Sequence, residues 1–302
     1  MSKHISVMPN EAIELLNIKE DGIYIDGTLG RGGHSRLILE KLNKGRLICF
    51  DLDKDAIDES SEILKDYDNV KLIHDNYINM FKYIDEVDGI LLDLGVSSPQ
   101  FDELDRGFSY RYDSKLDMRM NKNDKLTAYD VVNNYDLEQL FKILKDYGEE
   151  RFSRRIAEEI VKNRPINTTF ELNEVIKKAI PKKALSKKGH PSKQTYQAIR
   201  IEVNHELDNL KQFLDEFDKH LKVNGRVVII SFHSLEDKLV KYKFKELSSV
   251  DDDKSIILRP EEVPIPRYKL LNHGKKASKE EIENNHRASS AIIRGVEKVW
   301  QE

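Results

Sequence analysis

The sequence predicts an α/β fold, a mostly parallel, doubly wound sheet interrupted by an all-helical insertion. Three observations carry this expectation. Over the first hundred residues, short runs that are apolar throughout alternate with amphipathic helical segments, as in a sheet covered on both faces. The alternation stops after Phe101 and gives way to helical spacing. A strand-like run then returns at Gly225-Arg226-Val227-Val228-Ile229-Ile230-Ser231-Phe232. The sheet domain is therefore expected to comprise residues 1–108 and 206–302, with the insertion at 109–205.

Taken in order, residues 23–26 read as the first strand, followed by a glycine turn and a helix running to 42. Residues 45–51 give a second strand, 56–64 a second helix, 70–73 a third strand and 89–93 a fourth. From 108 to 134 the chain is polar and irregular. Helical apolar spacing follows at 137–145, 152–162 and 170–180. Thr168-Thr169-Phe170-Glu171 reads as a capping box for the last of these, with Glu171 reaching back to the Thr168 backbone. A long helix, whole or once broken, is expected over about 193–221. Ser234 reads as the N-cap of a helix after the returning strand, with Asp237 in its first turn. Residues 250–285, with Pro260, Pro264 and Pro266, read mainly as loop, and 291–296 as a final strand at the sheet's edge.

Composition narrows the class. Of 302 residues, 39% are hydrophobic and 34% charged, ordinary for a soluble globular protein. The longest apolar runs are strand-sized, and the N-terminus lacks a signal-peptide pattern. A single cysteine, Cys49, excludes an internal disulfide and suits a reducing cytoplasm. The net charge of −4 hides a local excess. Residues 141–200 hold 15 Lys and Arg against 7 Asp and Glu, a balance of +8, so the remainder sums to −12. From 175 to 201 there are seven lysines (Lys177, Lys178, Lys182, Lys183, Lys187, Lys188 and Lys193) and no acid. Such a run suits a solvated surface and a phosphate-contacting patch equally well.

The densest chemical signal is Asp26-Gly27-Thr28-Leu29-Gly30-Arg31-Gly32-Gly33-His34, between a strand and a helix. Glycines there let backbone N–H groups approach a ligand, and a helix N-terminus favours negative charge. The lysine of a triphosphate loop is absent, and Ser35 stands where a dinucleotide motif has its third glycine. Asp51 ends the second strand, where an acid can accept hydrogen bonds from the two ribose hydroxyls of an adenosine cofactor. Tyr77 is placed to stack on adenine, with Asp75 near its amino group, although core packing suits a lone Tyr as well. Asp93 ends the fourth strand and opens the loop Leu94-Gly95-Val96-Ser97-Ser98-Pro99-Gln100-Phe101.

Six separated segments carry a resemblance. D-G-T-L-G-R-G-G-H-S, D-G-I-L-L-D-L-G-V-S-S-P-Q, L-D-M-R-M, Y-G-E-E-R-F-S-R-R-I-A, H-P-S-K-Q-T-Y-Q-A-I-R-I-E-V-N and I-I-S-F-H-S-L-E-D occur in one order from Asp26 to Asp237. With His286-Arg287-Ala288-Ser289-Ser290 near the end, the sequence resembles the ribosomal RNA small subunit methyltransferase H family over nearly its whole length. The resemblance implies a Rossmann-like class I methyltransferase in the bacterial cytoplasm. Its donor would be S-adenosylmethionine, and its target the exocyclic N4 amino group of one cytidine in the decoding centre (P site) of 16S rRNA. The substrate would be the small ribosomal subunit. The implied cofactor contacts are Gly32, Gly33, His34, Asp51, Tyr77, Asp93 and Gln100, with Tyr77 where other members carry Phe.

The residues constrain the chemistry independently. Methylating carbon 5 of cytosine requires a thiolate nucleophile, and Cys49 lies inside an apolar strand. Transfer to an amino nitrogen needs alignment and acceptors for its protons. Ser97, Ser98 and Pro99 are the catalytic candidates, since Ser98-Pro99-Gln100-Phe101 partly matches the D/N-P-P-aromatic motif of amino methyltransferases. Arg151, Arg154, Arg155, Lys182, Lys183, Lys187 and Lys188 are the candidate RNA-holding cations. His233 and His286 are left structural, and no His/Cys cluster has metal-ligand spacing. Competing readings are the same fold acting on another nucleic acid or on protein, a nicotinamide-dependent oxidoreductase, and a non-catalytic RNA-binding module.

Overall fold

The computed structural model describes residues 6–96, 105–185, 189–250 and 265–300. Its contacts divide the chain into two units, residues 1–95 with 209–302 and residues 96–208. The first division falls thirteen residues earlier than the expected 108/109. Val96 and Phe108 pack against the helical core, so these two residues go with the insertion.

In the first unit the strands are β1 (Ile23–Asp26), β2 (Arg46–Asp51), β3 (Val70–His74), β4 (Val87–Asp93), β5 (Leu221–Ser231), β6 (Tyr268–Leu270), β7 (Lys275–Lys276) and β8 (Ile292–Lys298). They form one sheet in the order β3-β2-β1-β4-β5-β8-β6, with β7 also paired to β8. Strands β1 to β5 are parallel, and β8 runs antiparallel to β5, β6 and β7. Alternate side chains feed two separate cores. Ile25, Ile48, Phe50, Ile90, Leu92, Val227 and Ile229 point to one face, and Tyr24, Leu47, Cys49, Leu91, Val228 and Ile230 to the other. The first face is covered by Leu210, Phe213, Leu214 and Phe217 and by α11 (Ser234–Leu247). The second is covered by α1 (Pro9–Leu16), α2 (Gly33–Leu39) and α3 (Lys54–Ile63). Burial on both faces is the physical reason the central strands β1, β2, β4 and β5 carry runs of consecutive apolar residues.

Four expectations are corrected here. Strand β8 lies inside the sheet rather than at its edge, because β6 and β7 pair with its outer side. Part of 250–285 is structured, since β6, β7 and α12 (Lys279–Asn284) fall within it. Tyr268 of β6 is fully buried and its hydroxyl donates to Asp218. Strand β5 begins at Leu221, four residues early, and its pairing with β4 shifts register between Val87 and Gly89. The cap of α11 is His233, not Ser234. The imidazole accepts from the Glu236 N–H while the Glu236 carboxylate accepts from the His233 N–H, closing a capping box.

The second unit contains α4 (Ala128–Asn134), α5 (Leu137–Asp146), α6 (Ser153–Lys162), α7 (Thr169–Ala179), α8 (Lys182–Leu185) and α9 (Lys193–Asn204). The long helix breaks at His205, whose φ of 52° ends α9, and α10 (Glu206–Glu216) follows. Helix α4, capped reciprocally by Thr127 and Asp130, lies inside the segment expected to be irregular. The rest of that segment is ordered by side chains that satisfy backbone groups. Buried Asn204 accepts from the Met120 N–H at 2.7 Å and donates to the Met118 carbonyl at 2.8 Å. Arg106 donates to the carbonyls of Arg119 and Met120. At α7 only half of the expected capping box forms. Thr168 accepts from the Glu171 N–H, but Glu171 accepts from Asn167 rather than from Thr168. Among the described residues no helix is long and apolar enough to cross a membrane.

Candidate functional site

Strand order places the site. β1 pairs with β2 on one side and β4 on the other, so the chain's direction of winding reverses between β1 and β4. Ligands of open parallel sheets bind outside the carboxyl ends of the strands at such a reversal. Three adjacent strands end there in an acid: Asp26 on β1, Asp51 on β2 and Asp93 on β4.

The three acids are held differently. Asp26 is buried and committed, accepting from the Thr28 N–H at 3.1 Å and the Ser35 hydroxyl at 2.6 Å, so it shapes the glycine turn. Asp51 accepts one backbone N–H on each oxygen, Gly30 and Asp53, both at 2.8 Å. Each oxygen keeps a second lone pair for a ligand. Burial pushes the Asp51 carboxyl up to about 6 against the lowering by these two N–H groups. Asp93 is fixed through its own N–H, which donates to Thr28 Oγ1 at 2.6 Å. Its Oδ2 lies 3.6 Å from His34 Nδ1, and its Oδ1 is buried with no hydrogen-bond partner among the described residues. Burial raises the Asp93 carboxyl to about 7; His34 opposes this, while Asp26 and Glu236 add to it.

The turn between β1 and α2 depends on two left-handed glycines, Gly30 at φ 52° and Gly32 at φ 70°. A Cβ on Gly32 would meet Leu64 and Ser60 only at ordinary contact distance, so the conformation, not space, requires glycine there. Gly30 and Gly32 spend their N–H groups internally, on Asp51 and the Leu29 carbonyl. Gly32 caps α2 without a side chain, which leaves Gly33 and His34 to present the helix's first N–H groups. The His34 ring itself is buried. Its Nε2 lies 2.9 Å from the Val7 carbonyl and must donate to it, which turns Nδ1 toward Asp93. Sequence reasoning missed this link and the organising roles of Asp26 and Thr28. Only the position of Asp26 at a strand's end hinted at them.

Tyr77 starts the turn after β3, half-buried, with its ring edge-on to Phe213 at 6.0 Å. Asp75 is otherwise engaged than expected. Its oxygens accept from the Asn76 N–H, the Asn79 amide and the Tyr83 hydroxyl. Ser97, Ser98, Pro99 and Gln100 lie outside the described residues, as do Lys187 and Lys188. In the second unit Arg151 and Arg155 flank the start of α6 and are exposed, and Lys182 and Lys183 form the exposed first turn of α8. Arg154 is already tied to Glu138 and Glu158.

A dinucleotide-binding sheet of order 3-2-1-4-5-6 is parallel throughout. Here an antiparallel strand, β8, enters between the fifth and sixth positions. The sheet is the mostly parallel α/β arrangement expected above, and the chain is an S-adenosylmethionine-dependent methyltransferase. A family model described as the MraW methylase family matches residues 1–299. Ribosomal RNA small subunit methyltransferase H of Clostridium botulinum (strain Kyoto / Type A2) is 51% identical over 313 residues, spanning 98% of this chain and 99% of that protein. The protein of the same name from Mesoplasma florum is 49% identical over 307 residues, spanning 99% and 100%. The chain belongs to the MraW methylase family.

Proposed function

We propose that this protein transfers a methyl group from S-adenosylmethionine to the N4 amino group of a cytidine in the decoding centre (P site) of 16S rRNA within the small ribosomal subunit. The observation that carries the reading is identity near 50% over nearly full length to proteins named ribosomal RNA small subunit methyltransferase H. The site residues suit the cofactor. Asp51 has two acceptor oxygens, pre-oriented by Gly30 and Asp53, for a ribose diol. Tyr77 offers an aromatic face for adenine, and the first N–H groups of α2 at Gly33 and His34 can meet a carboxylate. Asp93, whose Oδ1 has no hydrogen-bond partner among the described residues, suits a cationic group, and Gln100 follows seven residues on in the chain.

When bound, the cofactor supplies an activated methyl on a sulfonium, so the chain has to align the acceptor and take up the proton it loses. Asp93 precedes the loop of Ser97, Ser98 and Pro99 in the chain, so a carboxylate that can accept a proton stands next in sequence to the catalytic candidates. A covalent route through Cys49 is disfavoured. The thiol is fully buried beside Ser35 and Asp26, and burial first, then Asp26, push it well above its ordinary value. The helical unit is read as the RNA-holding surface, through Arg151, Arg155, Lys182, Lys183, Lys187 and Lys188, with Arg154 contributing less because of its carboxylate partners. The test is labelled-methyl transfer to 30S particles lacking the modification, beside free 16S rRNA, with mapping of the modified base. Label on the N4 of one P-site cytidine in particles is expected; label elsewhere, or none, would overturn the assignment.

A further inference from the structure

The helical unit has an aromatic corner that its core does not consume. Residues 112–115 are pinned to the first turn of α7. The Thr169 N–H donates to the Ser114 carbonyl at 2.9 Å, and Thr169 Oγ1 donates to the Tyr112 carbonyl at 2.7 Å. The Phe170 N–H donates to Asp113 at 3.2 Å. On either side of this junction stand two large rings, Tyr112 at 48% and Phe170 at 46% exposure. The apolar residues of α7 that face inward are Leu172, Val175, Ile176 and Ala179, all buried, so Phe170 lies off the packed face of its own helix. Leaving a phenyl ring half in water forgoes part of the stability that its burial would add. Two such rings on one rigid junction are not required by the fold.

The surroundings are held by ring contacts and hydrogen bonds and carry exposed basic side chains. The Tyr110 ring stacks on the His190 imidazole at 4.0 Å and 10°, and Tyr196 meets Tyr110 edge-on at 5.8 Å while donating its hydroxyl to the Thr169 carbonyl. Arg111 is exposed between Tyr110 and Tyr112. Arg111 and Lys177 lie close enough to His190 to add to the burial that disfavours its protonation. The three local acids are occupied, Asp113 at the start of α7, Glu171 by Asn167 and Glu174 by Lys177 at 2.7 Å.

We infer that Tyr112 and Phe170 form a stacking platform for unpaired bases of the RNA substrate, with Arg111 meeting the adjoining phosphates. The inference rests on the RNA reading above. It adds that this unit holds bases as well as backbone, because every base has a π-face and duplex RNA does not expose one. Arg111 suits a phosphate, since the acids nearby are held by Phe170 N–H, Asn167 and Lys177, and the rings match what lies between phosphates.

The experiment measures binding of the full chain to a fluorescein-labelled, unstructured RNA of about 20 nucleotides and to a duplex of equal length, over a salt series. Base–aromatic stacking is worth roughly 1–3 kcal/mol per base, so Tyr112→Ala/Phe170→Ala, which removes two rings, is expected to weaken single-strand binding by at least about thirty-fold. The loss should be the same at every salt concentration, duplex binding should be unchanged, and Tyr112→Phe/Phe170→Tyr should bind as the parent does. Lys177→Glu/Lys182→Glu/Lys183→Glu should instead flatten the salt dependence. Parent-like binding by the double alanine variant overturns the platform. An equal loss on duplex, or a changed salt slope, overturns it too. Each single alanine variant repeats the measurement should the double variant melt early. Failure of the unsubstituted chain to bind any RNA would instead overturn the RNA reading on which the inference rests.

Discussion

Replacing Asp51 with Asn is the sharpest perturbation of the cofactor site, because it changes hydrogen-bond polarity with almost no change in volume. The carboxylate receives Gly30 and Asp53 N–H groups, one on each oxygen, at 2.8 Å. An amide keeps one acceptor and turns the other into a donor, which faces one of those N–H groups and one ribose hydroxyl. A hydrogen bond to a charged group is worth about 1.5–3 kcal/mol, and a mismatched anchor adds to the loss. The expected total is roughly 2–4 kcal/mol, about thirty- to a thousand-fold in Kd. Isothermal titration with S-adenosylmethionine at pH 8 reads this directly. Stability should move the other way or not at all. The Asp51 carboxyl is raised to about 6 in the folded protein, so its contribution is present below the ordinary carboxylate range and lost as pH rises through 6. At pH 8 the amide removes a buried charge that favours unfolding, which offsets the lost anchor. A variant that melts normally and binds within about threefold of the parent would refute the role given to Asp51.

Cofactor affinity should fall as pH drops from 8 to 5.5, because Asp93 (about 7) takes up a proton and loses the charge that faces a cation, and then Asp51 (about 6) takes one up and loses an acceptor for a ribose hydroxyl. The limit is about tenfold per pH unit for each group, read by titration calorimetry, and a flat profile contradicts it. Gly32→Ala should cost about 1–2 kcal/mol in urea unfolding, since φ 70° is strained for any side chain while the space is adequate. Cys49→Ala should retain methyl transfer in the labelled assay. A loss of activity beyond its loss of stability would point to a covalent route.

How far the sequence revealed this protein varied with the kind of constraint. Strands β1, β2 and β4 were legible because their central residues are apolar and buried on both faces, whereas β3, at the sheet's end, showed only through Val70, Leu72 and Ile73. The Asp26-to-His34 turn and Asp51 were legible because their types sit where a parallel sheet binds ligands. What the sequence hid depends on partners far along the chain. Strand β8 looks like an edge until β6 and β7 are paired to it. The order in 105–126 rests on Asn204, 84 residues from the Met120 it holds. His34 reads as a cofactor contact in sequence, yet its ring is spent on Val7 and turned to Asp93, which leaves the backbone for a ligand. The cap at His233 was hidden because Ser234 beside it is the commoner capping type.

The claim that the glycine turn and the strand-end acids cradle the methyl donor is tested most directly by solving the complex with S-adenosylmethionine. Both ribose hydroxyls should lie within about 3.2 Å of the Asp51 oxygens, the adenine should lie against Tyr77, and a cationic group of the donor should face Asp93 Oδ1. An adenosyl moiety bound elsewhere, or one whose ribose turns away from Asp51, would contradict the account.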